Sequence, residues 1–333
     1  MLLYNTYSSR ESIVVRPRLS LLSAAALAWL VAAPAHAEVR VLTSIKPLQL
    51  IAAAVQDGAG TPDVLLPPGA SPHHYALRPS DVRRVGEADL LYWIGPDLEA
   101  FLPRVLEGRR APTLAVQELS DLHLRRFGAE HRHDDEEHAG EEHHDDDDAE
   151  DSGHDQAHRP GTLDAHLWLL PANARAIAAR MAADLAKADP ANAARYQANL
   201  AAFEQRLSAA DGRLKARLAP LKDKPFFVFH EAFDYFEEAY GLRHAGVFAL
   251  GAEVQPGARH VAAMRAQLKA AGPSCVFSEP PLQPRLAQTL SDGLPVHLAE
   301  LDALGFDLKA EAGSYERLLE QLGDGLAGCL EKL

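Results

Sequence analysis

Three histidines outside any histidine-rich run occupy matching places in the sequence. One of the pair His73-His74 follows the loop Pro67-Pro68-Gly69-Ala70-Ser71-Pro72, His166 lies within Asp164–Pro171, and His230 directly follows Phe226–Phe229. Each stands at the end of an apolar strand-like run or in the loop beyond it. A lone imidazole in such a place is ordinarily structural, with a hydrogen-bond partner of its own. Three at corresponding places suggest a shared task, because converging imidazoles can hold one zinc ion at about 2.0–2.1 Å. A second group, from Glu130 to His158, contains His131, His133, His138, His143, His144, His154 and His158. Fourteen acidic residues and one basic residue, Arg132, share that span, which therefore carries 13 of the 14 net negative charges of the chain. Without apolar side chains to bury, such a stretch is expected to stay solvated. A charged insert is the plain reading; the density of imidazole adds ligands for zinc, copper or nickel. The spacing is irregular, so several weak, exchanging sites are expected there.

The elements that must position the first group read as alternating strands and helices. Val39–Ser44, Asp63–Leu66, Leu90–Ile94 and Thr113–Val116 are short apolar runs, with helical stretches to about Val55 and from about Leu98 to Glu107 between them. After the acidic stretch, Asp164–Pro171 is another apolar run, leading into an alanine-rich helix to about Lys187. A second set follows: Phe226–Phe229, Gly246–Leu250, Cys275–Ser278 and Val296–Ala299 as strands, helices through Tyr240 and over His260–Ala270, and a last helix from about Ser314 to Cys329. This pattern predicts an α/β fold of two lobes, each a mainly parallel sheet flanked by helices. Between them Asp189-Pro190 opens a helix whose apolar positions Tyr196, Leu200, Phe203, Leu207, Leu214 and Leu218 recur at helical spacing up to Pro220. At 1.5 Å per residue it is roughly 40 Å long, enough to join the lobes stiffly. A surface helix on one domain would show the same periodicity. The expected division is residues 1–37 as signal peptide, 38–189 as the first lobe with the insert at about 128–160, 190–218 as the linking helix and 219–333 as the second lobe, with a ligand cleft between the lobes.

The compartment is read from the start of the chain. Arg16 and Arg18 precede an apolar run from Leu19 to Ala33, and Ala35-His36-Ala37 offers the small residues of a cleavage site. The run is shorter than the roughly 20 residues of a membrane span, and no cysteine at the cleavage site invites a lipid anchor. A soluble protein of a Gram-negative periplasm, starting near Glu38, is expected. In that oxidising setting the isolated pair Cys275 and Cys329 reads first as a disulfide, worth about 4 kcal/mol in the chain-entropy account. Zinc ligation by the two thiolates is the alternative, although such sites normally use closely spaced pairs. His244 beside Arg243, His260 beside Arg259, His297 and His123 read as structural or surface residues, the neighbouring cation favouring neutral imidazole at the first two.

Pro68-Gly69-Ala70-Ser71-Pro72-His73-His74-Tyr75 with Leu77-Arg78-Pro79-Ser80-Asp81, then Asp164-Ala165-His166-Leu167-Trp168, Phe229-His230-Glu231-Ala232-Phe233 and Ser278-Glu279-Pro280 resemble, in order, the zinc-binding components of ABC importers of the ZnuA type. The resemblance spans essentially all of the chain beyond the signal segment, the acidic insert included. It implies a periplasmic receptor that is not an enzyme, with zinc as its cargo. Its ligands would be His73, two residues before Tyr75, His166 and His230, and Cys275 would pair with Cys329. Manganese and iron relatives carry a carboxylate where His230 stands, in keeping with the preference of zinc for imidazole. Some relatives have a Glu before the first ligand; here it is Pro72, so the fourth position falls to water or to Asp302. The implied partners are an inner-membrane ABC permease and its cytoplasmic ATPase. A monomer with no nucleic-acid partner and no membrane anchor is expected.

Two other readings share these residues. A zinc hydrolase would use three histidines plus water, with Glu231 and Glu279 as the candidate bases, but no H-E-x-x-H run is present. A periplasmic metal buffer would rely on the acidic stretch and need no permease. Removing residues 130–158 is expected to leave one tight zinc site and lower the number of zinc ions bound per chain. Calorimetric titration of the deleted and full-length proteins checks this, and loss of tight binding in the deleted protein would mean that the three-histidine group is the wrong site.

Overall fold

Short apolar runs can bury both faces in a parallel sheet covered on each side, and Val41–Thr43, Leu90–Trp93, Phe226–Val228 and Ser274–Ser278 do so along their whole length. The computed structural model describes residues 38–128, 161–248, 258–280 and 285–333; the expected signal segment and the histidine-rich stretch fall outside them. Strands β1 (Val41–Thr43), β2 (Asp63–Val64), β3 (Leu90–Trp93) and β4 (Thr113–Ala115) pair in parallel in the order β2-β1-β3-β4. They are linked by helices α1 (Lys46–Gln56), α2 (Pro79–Glu87) and the single turn α3 (Pro103–Leu106). Then come α4 (Pro171–Ala188) and α5 (Ala193–Leu218). The second half contains β5 (Phe226–Val228), α6 (Asp234–Tyr240), β6 (Gly246–Val247), α7 (Ala258–Ala271), β7 (Ser274–Ser278), α8 (Arg285–Ser291), β8 (Val296–Glu300) and α9 (Ser314–Leu330). Its sheet, β6-β5-β7-β8, is again parallel and repeats the topology of the first.

Helix α5 is 26 residues long, about 39 Å. One face buries Tyr196, Phe203, Leu207, Ala210, Leu214 and Leu218. Its first half is tied to the first lobe, where Asn199 Nδ2 donates to the carbonyls of Val55 and Asp57, each at 2.9 Å. Its second half is tied to α9: Arg206 meets Glu316 at 2.8 Å, and Gly323 lets the backbone of α9 approach Leu214 so closely that a Cβ there would lie 2.3 Å from Leu214 Cδ2. Helices α1, α4, α5 and α9 pack on one another. Around them a single hydrophobic cluster runs from Val41 and Trp93 in the first sheet through Tyr196 and Leu214 to Phe226 and Phe277 in the second. A smaller cluster, Phe227, Phe248, Met264, Leu268, Val276, Ala287 and Leu290, lies apart from it. Cys275 and Cys329 form a disulfide between β7 and α9. No described helix is long and apolar enough to cross a membrane.

Some elements differ from what the sequence predicts. The helix expected from Leu98 to Glu107 contracts to α3, because Pro103 brings no N–H and its ring crowds the carbonyl four residues back. The run Asp164–Pro171 is not a strand: Leu167–Leu169 make one 3-10 turn leading into α4, for reasons that belong to the site below. Helices α2 and α8 have no counterpart among the elements expected from the sequence, and the outer part of the Gly246–Leu250 run lies outside the described residues.

At the carboxyl ends of β1 and β3 sits a fully buried carboxyl, Glu99. It accepts from Ser44 Oγ, from Gly95 N at 3.0 Å and from Ile94 N at 3.3 Å. Gly95 has φ of +148°, and a Cβ there would fall 2.0 Å from Gln117 Oε1, so the turn that offers its N–H requires glycine. Burial pushes the Glu99 pKa up to about 7, with the hydrogen bonds from Ser44, Gly95 and Ile94 opposing it. The unfolded chain loses this proton in the usual carboxylate range, so the folded state holds it over a window in which the unfolded state does not. Stability is therefore lost as pH rises from about 4.5 to about 7, by roughly 3 kcal/mol at about 1.4 kcal/mol per pH step. Urea melts at pH 5 and pH 8 are expected to show a larger drop in the natural protein than in Glu99→Gln, even though the amide turns a donor towards Gly95 and weakens the variant at both pH values. Equal drops in the two proteins would refute this role for Glu99.

Candidate metal centre

In parallel sheets the loops at the carboxyl ends of the strands gather on one edge, and ligands bind there where the strand order reverses. The loop after β2 is the proline-rich Pro67–Pro72 run. Ala70 N donates to Pro67 O at 3.1 Å, Gly69 takes φ of +79°, and His73 N donates to Ser71 Oγ at 3.3 Å. Beyond it, Asp81 accepts from Tyr75 Oη at 3.0 Å and from Arg78 N at 2.9 Å, which secures the loop to the start of α2. His73 is half-buried, while His74 is exposed.

His166 stands at the head of the turn before α4. Arg126 and Leu163 form an antiparallel bridge, and Asp164 N donates to Arg125 O at 3.0 Å. Asp164 Oδ1 then accepts the backbone N–H of His166 at 3.0 Å and lies 2.8 Å from its Nδ1. Asn173 Nδ2 donates to Leu167 O at 3.1 Å. These side chains take the backbone groups that a strand would have offered to a neighbour, which is why the apolar run turns instead of pairing. Trp168 is fully buried; its Nε1 donates to Ala303 O at 2.9 Å, and its carbonyl accepts from Tyr315 Oη at 2.6 Å.

His230 follows β5, and its Nδ1 lies 3.3 Å from the carboxylate of Glu279, which follows the adjacent strand β7. The ring centroids of His73, His166 and His230 are 5.5, 5.3 and 4.9 Å apart. Each offers one nitrogen, and these three atoms all lie within 4.8 Å of one another. Among the described residues this is the one such group of histidine, cysteine or carboxylate side chains. A cavity of about 120 Å³ opens on them, walled by Pro72, Trp168, Pro280, Leu304 and Phe306, with Glu279 at its side. Burial pushes the Asp164 carboxyl well above its usual range, the His166 N–H opposing this, and burial with the Asp234 charge raises Glu231 to about 7.

Asp302 is engaged by its own loop. Its Oδ1 accepts from Leu304 N at 2.9 Å and Gly305 N at 2.8 Å, and its Oδ2 from Phe306 N at 2.7 Å. It holds the turn that forms one wall of the cavity and does not belong to the three-histidine group. His244 departs from expectation. Burial lowers its pKa, but the hydrogen bond and charge of Glu237 outweigh burial and raise it; the buried ring lies 2.9 Å from that carboxylate, so the cation at Arg243 does not decide its state. His123 pairs with Glu238 at 2.9 Å, and His297 is exposed on β8. The side chain of His260 lies outside the described residues, as do His131, His133, His138, His143, His144, His154 and His158. Sequence reasoning gave Asp164 no role and treated Glu279 only as a base; the Asp-x-His spacing, which favours a side-chain turn onto the histidine N–H, was the available signal for Asp164.

Replacing Asp302 by Ala leaves three backbone N–H groups without their acceptor. A loss of roughly 1–2 kcal/mol in urea melts is expected, and unchanged stability would show that the turn stands without it.

The family model "ZnuA: Zinc-uptake complex component A periplasmic" matches residues 41–329. The high-affinity zinc uptake system protein ZnuA of Yersinia pestis is 38% identical over 299 residues, covering 89% of this chain and 92% of its own. The protein of the same name from Brucella suis biovar 1 (strain 1330) is 35% identical over 306 residues, covering 88% and 92%. The fold is shared with the periplasmic zinc binding protein TroA from Treponema pallidum, at TM-score 0.71 and 20% identity over 88% of this chain and 99% of that one. Two parallel sheets of one topology, a long helix against both and a match over nearly the whole described chain thus lead to one conclusion: this chain belongs to the ZnuA family of periplasmic zinc-uptake components.

Proposed function

We propose that this protein is a zinc receptor that captures Zn2+ through His73, His166 and His230 and delivers it to an inner-membrane ABC permease driven by a cytoplasmic ATPase. The observation that carries the reading is the meeting of three imidazole nitrogens within 4.8 Å, from three loops far apart in sequence. Tetrahedral zinc with bonds of about 2.0–2.1 Å needs its donors about 3.3 Å apart, so small rotations of the rings suffice. An all-nitrogen set suits zinc over manganese or magnesium, and each ring must be neutral to bind. The relatives' names, which describe high-affinity zinc uptake, support the same cargo. A water completes the shell in this reading, because Asp302 already holds three backbone donors.

The remaining parts of the reading are a signal peptide over residues 1–37, lobes over 38–189 and 219–333 joined by 190–218, action as a monomer, and loose cation capture by the histidines of the acidic stretch, to which its Asp and Glu residues attract cations. An enzymatic role is not part of it. A hydrolase needs a base aimed at bound water, whereas Glu279 faces a ring nitrogen of His230 and Glu231 is not among the residues lining the cavity.

Calorimetric titration of zinc into His73→Ala, His166→Ala and His230→Ala, each lacking residues 130–158, tests the ligand set. Each is expected to lose more than the roughly 10–100-fold that follows loss of an outer partner; unchanged affinity in all three would end the assignment.

A further inference from the structure

Neutral imidazole carries its proton on one nitrogen and its lone pair on the other, so a histidine that ligates a cation through one nitrogen needs an acceptor for the N–H on the other. His166 has that acceptor beside it. Asp164 Oδ1 lies 2.8 Å from Nδ1 and also receives the backbone N–H of His166 at 3.0 Å. An oxygen already accepting one N–H at that distance is placed to accept a second, which puts the ring proton on Nδ1 and the lone pair on Nε2, the edge turned away from Asp164. Both residues are buried, at 1% and 3% exposure, so bulk water does not compete for the contact.

Asp164 is itself held from the second lobe. Tyr235, on α6, donates its hydroxyl to Asp164 O at 3.0 Å and accepts Arg125 N at 2.8 Å, while Asp164 N donates to Arg125 O at 3.0 Å. Arg125 also pairs with Asp234 at 3.5 Å and with Glu238 on the same helix, and its guanidinium lies 5.9 Å from the centre of the Tyr235 ring. Both peptide groups of Asp164 are thereby fixed, and the contacts of Oδ1 with the His166 N–H and ring keep the buried carboxyl beside the imidazole. The corresponding contact at His230, Nδ1 to Glu279, is longer at 3.3 Å and comes from a residue more exposed than Asp164.

We propose that Asp164 is a positioning residue that holds His166 in the tautomer and orientation required for cation binding, with Tyr235 as the anchor that transmits the place of α6 to that loop. The inference rests on the zinc reading above. Asp164→Ala removes the acceptor; Asp164→Ser keeps a short hydroxyl for the backbone turn but cannot reach Nδ1, and serves if the alanine variant does not fold; Asp164→Asn keeps an acceptor oxygen for both N–H groups. Zinc affinity by competition with a chelator, and the cobalt(II) absorption spectrum of each protein, are the readouts. Loss of roughly 10–100-fold in affinity for Ala or Ser, with altered cobalt bands, and recovery of most of both in Asn, is the expected result. Natural affinity in the Ala or Ser protein, or an Asn protein as weak as Ser with a cobalt spectrum equally altered, would overturn it. His166→Ala separates the two readings: if it binds zinc normally, the zinc site is wrong; if it is weakened while Ala and Ser at 164 are not, only the positioning role of Asp164 falls.

Discussion

A single apolar core connecting both sheets through α5 is the constraint on which the rest of the structure depends. His73, His166 and His230 are carried by segments separated by more than sixty residues each, and no local contact could hold their rings about 5 Å apart. What holds them is the burial of Tyr196, Phe203, Leu207 and Leu214 on one side of α5 against both halves of the chain, with α1 and α9 packed on the same helix. Because close-packed interiors transmit displacement instead of absorbing it, the strand ends facing the cavity keep their spacing. The disulfide of Cys275 with Cys329 links the amino end of β7 to α9, at the other end of the strand from Glu279.

On that frame the two halves contribute differently. The duplicated topology gathers the loops after its strands at one edge of each sheet, and His73 and His230 use two that do not correspond: His73 follows β2, whereas His230 follows β5, the counterpart of β1. His166 does not come from a strand; it comes from a turn built by Asp164 and Asn173, and Tyr235 of the opposite half holds that turn. Carboxylates at Asp164 and Glu279 stand beside the ring nitrogens of two of the three imidazoles. Asp302 does related work one step further out, tying Leu304, Gly305 and Phe306 into a wall of the cavity. Polar side chains near the site thus serve mainly to fix backbone and ring orientation.

The alternation of apolar runs with helical periods, the presence of a long helix soon after Asp189-Pro190 and the pairing of the two cysteines could all be read from residue types and spacing, since each depends on local chemistry or on counting. The start of that helix differs, because Pro190–Asn192 make a 3-10 turn ahead of α5 and Asp189 accepts from Asn192 and Tyr196 instead of capping. So could the three histidines that stand out from the acidic stretch. Less legible were elements settled by a competing local interaction: Pro103 cut a helix short, and the Asp164 side chain turned an apolar run into a 3-10 turn. At His244 the sequence neighbour Arg243 favours neutral imidazole, but the spatial neighbour Glu237 pulls the pKa up, against the burial that lowers it. At Asp302 the residue type allowed a ligand, but that its own loop would donate to both oxygens could not be read from it.

The sequence by itself determined the fold class and the residue types available for metal binding, because periodicity and ligand chemistry belong to single residues and short windows. Only the tertiary structure decided which side chains meet. Distances between the loops after β2 and β5 and the turn before α4 depend on how two sheets and α5 share one core, and that packing couples residues more than a hundred positions apart. It brought His73, His166 and His230 into one group, placed Asp164 and Glu279 beside two of their rings, and set Asp302 to hold a wall.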